Sequence, residues 1–120
     1  MQTRTISPPQ WRPVLDSLSR VYQGSSATLE ILDPDLGAQF EVEEAPLRGI
    51  SVDASGIQMD FQTRDGQHLL HRIAHPKSVL IDENDDGQVV AIQFEADDDP
   101  RNVLRLHSPI ATKLLPMATE

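Results

Sequence analysis

Ile57-Gln58-Met59-Asp60-Phe61-Gln62 alternates apolar and polar side chains without a break, and Arg64-Asp65-Gly66 follows almost at once. A period of two puts Ile57, Met59 and Phe61 on one face of a strand and Gln58, Asp60 and Gln62 on the other. Asp-Gly after such a run is a hairpin signal, so Gln67 to His75 is expected to return antiparallel to it. A hairpin with one apolar face needs a second layer to cover that face, and the rest of the chain is read for what supplies it.

Upstream, Ala27, Leu29 and Ile31 alternate with Thr28, Glu30 and Leu32, and Asp33-Pro34-Asp35-Leu36-Gly37 has the composition of a turn. Phe40 and Val42 then point opposite to Gln39, Glu41 and Glu43 until Ala45-Pro46 interrupts the ladder. Proline cannot donate within a central strand, so Pro46 predicts a bend or bulge before the run resumes at Leu47 to Val52 and turns at Ala54-Ser55-Gly56. Downstream, Pro76 predicts the same kind of break before Ser78 to Asp82. The acidic turn Asp82-Glu83-Asn84-Asp85-Asp86-Gly87 leads into Val90, Ile92 and Phe94, which alternate with Ala91, Gln93 and Glu95. Asp97 to Asn102 separates that run from a last strand, Val103 to His107, and residues 109–120 read as a tail.

Before the strands, Ser7-Pro8-Pro9-Gln10 has the form of a capping box. Trp11, Leu15, Leu18 and Tyr22, with Val14 beside them, recur at helical spacing, and Gly24 suits the residue after the last turn. The spacing predicts a helix of about three turns over 8–23, with Pro13 disturbing its start. Trp11, Leu15 and Leu18 are expected to dock it on the sheet, so that Trp11→Ala costs about 3–5 kcal/mol. The fold expected is α+β: an N-terminal helix followed by about six antiparallel strands in a meander over 26–108. Bends at Pro46 and Pro76 would make a strongly bent sheet or small barrel whose open end the helix covers.

A length of 120 residues falls within one domain, so 1–120 is expected to be a single domain with one core. With three Phe, one Trp and one Tyr, that core must be mostly aliphatic, anchored by Trp11, Phe40, Phe61 and Phe94. Nineteen acidic against ten basic residues give a net charge of −9, which repels phosphate backbones and anionic lipid at long range. Neither nucleic acid nor membrane is expected as a partner. The absence of cysteine excludes disulfides, thiolate metal sites and a cysteine nucleophile. No leader h-region and no run near the roughly 20 apolar residues of a membrane span is present, which reads as a soluble, cytoplasmic protein.

The chain resembles a family of small bacterial proteins of unknown function through three local matches. One is Thr3-Arg4-Thr5-Ile6 leading to Trp11 and Leu15-Asp16-Ser17-Leu18-Ser19-Arg20; the second is Thr28-Leu29-Glu30-Ile31-Leu32 followed by Asp35-Leu36-Gly37-Ala38-Gln39. The third is Leu104-Arg105-Leu106-His107-Ser108-Pro109. The resemblance runs over nearly the whole chain and implies a complete unit rather than a fragment of an enzyme. It implies no activity, cofactor or catalytic residue.

Four constellations carry candidate chemistry. Asp82, Asn84 and Asp86 before Gly87 match the opening of a calcium loop, but Gln93 occupies the twelfth position and strands replace the flanking helices, so an ordinary hairpin turn is the preferred reading. His68, His71 and His75 could bind zinc from one helix face, yet on a strand His68 and His71 point to opposite faces. Asp60 and His71 could meet across the Asp65-Gly66 hairpin as a catalytic pair or as a plain cross-strand pair. Gly49-Ile50-Ser51-Val52-Asp53 lacks the second glycine and the helix of a nucleophile elbow.

Asp97-Asp98-Asp99 and Glu41, Glu43 and Glu44 read as solvated charge and protection of strand edges, or as a surface for a basic partner. No residue is assigned as catalytic, cofactor-binding or metal-binding, and no cofactor is expected. The function expected is a small acidic, non-enzymatic binding or protein-interaction module, with self-association through edge strands left open. The alternatives are an enzyme or metal-dependent domain built on Asp and His side chains, and a nucleic-acid-binding small barrel. A concave pocket with convergent ionisable groups would favour an enzyme; an apolar patch or strand edge would favour the module.

Overall fold

The computed structural model describes residues 1–97 and 100–116. Its elements run β1 (Gln2–Ile6), α1 (Pro8–Tyr22), β2 (Ser26–Asp33), β3 (Gly37–Asp53), β4 (Gly56–Gln62), β5 (His68–Ala74), β6 (Pro76–Glu83), β7 (Gln88–Ala96) and β8 (Arg101–Ala111), then a 3₁₀ turn at Thr112–Leu114. All strand pairs are antiparallel, in the order β1-β6-β7-β8-β2-β3-β4-β5.

This overturns the expected helix-first meander of about six strands. A strand precedes the helix: Gln2–Ile6 pairs with β6 from Gln2↔Glu83 to Ile6↔Val79, and Thr3, Thr5 and Ile6 supply the β-branched side chains that such a strand favours. Two meanders, β2-β3-β4-β5 and β6-β7-β8, are joined side by side through β2 and β8. What looked like one strand bent at Pro76 is two. The break falls at His75, which has φ 51 and is the single residue between β5 and β6.

The sheet is not a closed barrel, because its two edge strands, β1 and β5, do not pair with each other among the described residues. The C-terminal residues are not a free tail either: β8 continues to Ala111, and Ile110 and Leu115 are buried. To reach that length β8 loops out 106–109 opposite Val90, a break in register that accommodates Pro109.

The core forms where the inner faces meet under α1. Val14, Leu15, Leu18 and Tyr22 are buried, and the helix lies chiefly against β3 and touches β6. Ser7 precedes the helix without a side-chain cap bond; its carbonyl instead accepts from the Gln10 N–H at 2.8 Å, and Pro8 and Pro9 fill the first turn, where no donor is needed. Phe61 and Phe94 are fully buried as expected, and Tyr22 joins them. Trp11 is only partly buried against this core, with its indole Nε1 donating to the Ile6 carbonyl at 2.9 Å.

Phe40 is not a core anchor at all; it is 58% exposed. The reason lies in the pairing of β3 with β2. Ala27 faces Ala45, Leu29 faces Val42 and Glu30 faces Phe40, so β3 carries one extra residue opposite Thr28 and another at Glu41. Each extra residue inverts the alternation that follows it. Val42 therefore stays inside with Leu29, while Phe40 turns to the outer face with Glu30.

Candidate functional site

The acidic turn is a hairpin that satisfies itself. Asn84 Oδ1 accepts from the backbone N–H of Asp86 and of Gln88, each at 3.0 Å, and Gly87 adopts φ 73 to close the turn. Asp82 lies in β6, where its carboxylate accepts from Thr3 Oγ1 at 2.8 Å and Gln93 Nε2 at 2.9 Å. Asp85 meets the N-terminal ammonium at 2.8 Å, and Asp86 is exposed. The groups that a calcium loop would converge are thus turned apart. Among the described residues no three His, Cys, Asp or Glu side chains are placed to hold a metal ion.

The histidines also separate. His68 Nδ1 sits 3.0 Å from both oxygens of Asp60 on the outer face of the β4–β5 hairpin. His71 faces inward and its Nε2 meets Asn102 Oδ1 of β8 at 2.8 Å, which ties β5 across to the other meander. Asp60 is therefore paired with His68 rather than with His71, and Met59 is the residue opposite His71. Ser51 is an exposed residue inside β3. Asp97 is exposed, and the rest of the 97–99 acidic run lies outside the described residues.

Glu41, Glu43 and Glu44 all fall in the two irregularities of β3 against β2. Glu44 has φ 44, and its N–H donates to Thr28 Oγ1 at 3.0 Å, while the same hydroxyl lies 2.7 Å from His107 Nε2. The buried Thr28 hydroxyl thus stands in for the ladder partner that the extra residue removes.

The other irregularity, the extra residue at Glu41, turns Phe40 outward and shapes an apolar surface at the far end of the β2–β3 hairpin. Leu32 pairs with Ala38 and Glu30 with Phe40, so Leu32, Ala38 and Phe40 share the outer face. Leu32, Asp33, Pro34, Gly37, Ala38 and Arg101 line a shallow, open depression of about 350 Å³ beside them. Leu36, 70% exposed, projects from the turn itself.

Asp33 and Arg101 are the two ionisable groups of the depression, and neither is aimed into it as a reactive pair. Asp33 Oδ1 accepts from the N–H groups of Asp35 at 2.8 Å and Leu36 at 3.0 Å, holding the turn. Arg101 donates to Gln93 at 2.9 Å and pairs with Glu95. Gln93 also donates to Asp82, so Thr3, Asp82, Gln93 and Arg101 form a polar row across β1, β6, β7 and β8 that runs up to the apolar patch.

Sequence reasoning missed this patch because strict alternation placed Phe40 inside. Glu43-Glu44, two adjacent acids in an alternating run, signal the irregularity opposite Thr28, but Phe40-Glu41-Val42-Glu43 alternates without a break and carries no mark of the one at Glu41.

Among the described residues no helix is long and apolar enough to cross a membrane. No solved structure matches the chain. An uncharacterised protein of Aquifex aeolicus (strain VF5) is 33% identical over 110 residues, covering 92% of this chain and 96% of that protein. A family model described as a family of unknown function (DUF5335) matches residues 2–115, and with that span the chain belongs to this family.

Proposed function

We propose that the chain is a non-enzymatic protein-interaction module whose contact surface is the end of the β2–β3 hairpin. The observation that carries this reading is Phe40, an aromatic ring turned outward by a strand irregularity and left 58% exposed beside Leu32 and Ala38. Exposed apolar side chains grouped around a depression are the usual mark of a contact site, and aromatic rings contribute strongly at such centres.

The charge around the patch selects the partner. Asp33 lines the depression, Asp35 lies in the same turn and Glu41 follows Phe40 in β3, on a chain of net charge −9, while Arg101 is already paired. A segment presenting a large apolar side chain flanked by Lys or Arg complements this surface; an acidic segment is repelled.

The test is an amide-shift titration with two synthetic probes of equal length, one alternating Leu with Lys and one alternating Leu with Glu. The Leu/Lys probe should shift Leu32, Ala38, Phe40 and Arg101, and Phe40→Ser should remove that response while leaving the net charge unchanged. Equal shifts from the Leu/Glu probe, or Leu/Lys shifts that survive Phe40→Ser, would refute the proposal.

A further inference from the structure

Edges of the sheet differ in how they are guarded. Among the described residues the first half of β3 pairs with β2 alone, and its second edge is broken by two irregularities, carries Glu41, Glu43 and Glu44, and holds Glu44 at φ 44. Irregularity and charge are the devices that stop a strand from accepting a neighbour. At one end of the sheet β1 is five residues long, and the carbonyl of Ile6 is already taken by Trp11.

The opposite end is built differently. β5 pairs with β4 without a single shift over seven residues, from Gly56↔Ala74 to Gln62↔His68, and among the described residues no strand pairs with its other edge. Its outward side chains are His68, Leu70 and Arg72, with no acid among them, and Leu70 is 58% exposed. On a chain of net charge −9 this is a straight, regular edge where another copy can approach with little local repulsion.

We propose that a second copy of this chain pairs antiparallel with β5 about a two-fold axis at Leu70. That register sets Leu70 against its own counterpart and His68 opposite the partner's Arg72. Asp60 already lies 3.0 Å from His68 and Asp53 2.7 Å from Arg72, so each base facing the other across the axis brings its own acid and no unpaired charge enters the contact. A two-fold contact of this kind closes on itself and leaves β1 and the β2–β3 hairpin outside it.

The chain contains no cysteine, which makes engineered disulfides a clean reading of the register. Residues directly opposite across an antiparallel pair are about 4.5–5.5 Å apart at Cα, within the reach of a disulfide. Light scattering at salt high enough to screen the net charge should give twice the chain mass. Under mild oxidation Leu70→Cys should become a disulfide-linked dimer, whereas Thr3→Cys on β1 and Phe40→Cys on the hairpin should not. Leu70→Lys, at an exposed position that leaves the fold intact by circular dichroism, should return the mass to that of one chain. A single-chain mass throughout a concentration series, or linkage by Thr3→Cys or Phe40→Cys ahead of Leu70→Cys, would overturn the proposal.

Discussion

Phe40 and Phe94 are the same side chain in the same kind of alternating run, yet one is 58% exposed and the other fully buried. Phe94→Ala should cost about 3–5 kcal/mol, whereas Phe40→Ser should stay within about 0.5 kcal/mol. Denaturant unfolding of the two variants separates core from surface, and a large loss for Phe40→Ser would return it to the core. Gly56 is the position where the backbone leaves no room, because a Cβ there would overlap the carbonyl of Ile73 on β5. Gly56→Ala should therefore destabilise by roughly 1–3 kcal/mol, as forced overpacking does. Asp53 holds the turn before β4 by accepting from Arg72 at 2.7 Å, from the Ser55 N–H at 2.8 Å and from the Gly56 N–H at 3.0 Å. The Arg72 hydrogen bond, followed by those from Ser55, keeps its carboxyl well below the usual range. With a folded pKa below the unfolded value of about 3.9, the unfolded chain takes up the proton first. The stabilisation is complete above that value and is lost as pH falls through the folded one. Acid unfolding followed from pH about 5 downward should thus be shallower in Asp53→Asn than in the native chain.

α1 and β3 show what a sequence can and cannot disclose at the level of elements. The helix face was legible because Leu15, Leu18 and Tyr22 recur at its period and all three are buried. Trp11 belongs to the same face but lies near the rim, so its ring is only partly covered. Trp11→Ala should accordingly cost about 2–3 kcal/mol, less than a fully buried aromatic, and the loss should include the bond to Ile6. The strand faces of β4 were equally legible, since Ile57, Met59 and Phe61 are buried and Gln58, Asp60 and Gln62 are not. β3 was not, because one inserted residue changes no local preference and yet reverses every side chain beyond it. Thr28 supports the other irregularity of this strand, opposite Glu43 and Glu44, through the hydroxyl that accepts from the Glu44 N–H. Thr28→Val preserves shape and removes that acceptor, leaving a part-buried N–H without a partner at a cost of about 1–3 kcal/mol. Hydrogen exchange at Glu44 should quicken in this variant while the β4–β5 hairpin stays protected.

At the scale of the whole molecule, what the sequence withheld is the order of the strands. Hairpins follow from turn residues, and each of the two meanders is made of them; the joining of β2 to β8 and the placing of β1 beside β6 are long-range pairings that no local pattern encodes. The outward-facing depression depends on the first, since Arg101 of β8 borders the surface made by the β2–β3 hairpin. The second depends on a charge pair. Glu83, buried at the end of β6, has Oε1 at 3.1 Å from Arg4 Nε, close enough for charge pairing although not aligned as a hydrogen bond, while its Oε2 accepts from Thr112 Oγ1 at 2.6 Å. One carboxylate thereby fastens β1 and the segment after β8 to the same hairpin, whose Gly87 carbonyl also accepts from the Thr112 N–H at 2.9 Å. Removing only the base leaves that carboxylate buried with a single hydroxyl. Arg4→Ala should cost about 1–3 kcal/mol, discounted from the figure for a fully buried pair because Arg4 is partly exposed. Replacing both partners by apolar residues, Arg4→Leu with Glu83→Met, should recover most of the loss, since no charge then remains to be desolvated. Unfolding free energies for the two single variants and the double variant close the cycle. If the double variant lost as much as the two singles added together, the pair would have no coupling, and β1 would be held by its strand pairing and Ile6 alone.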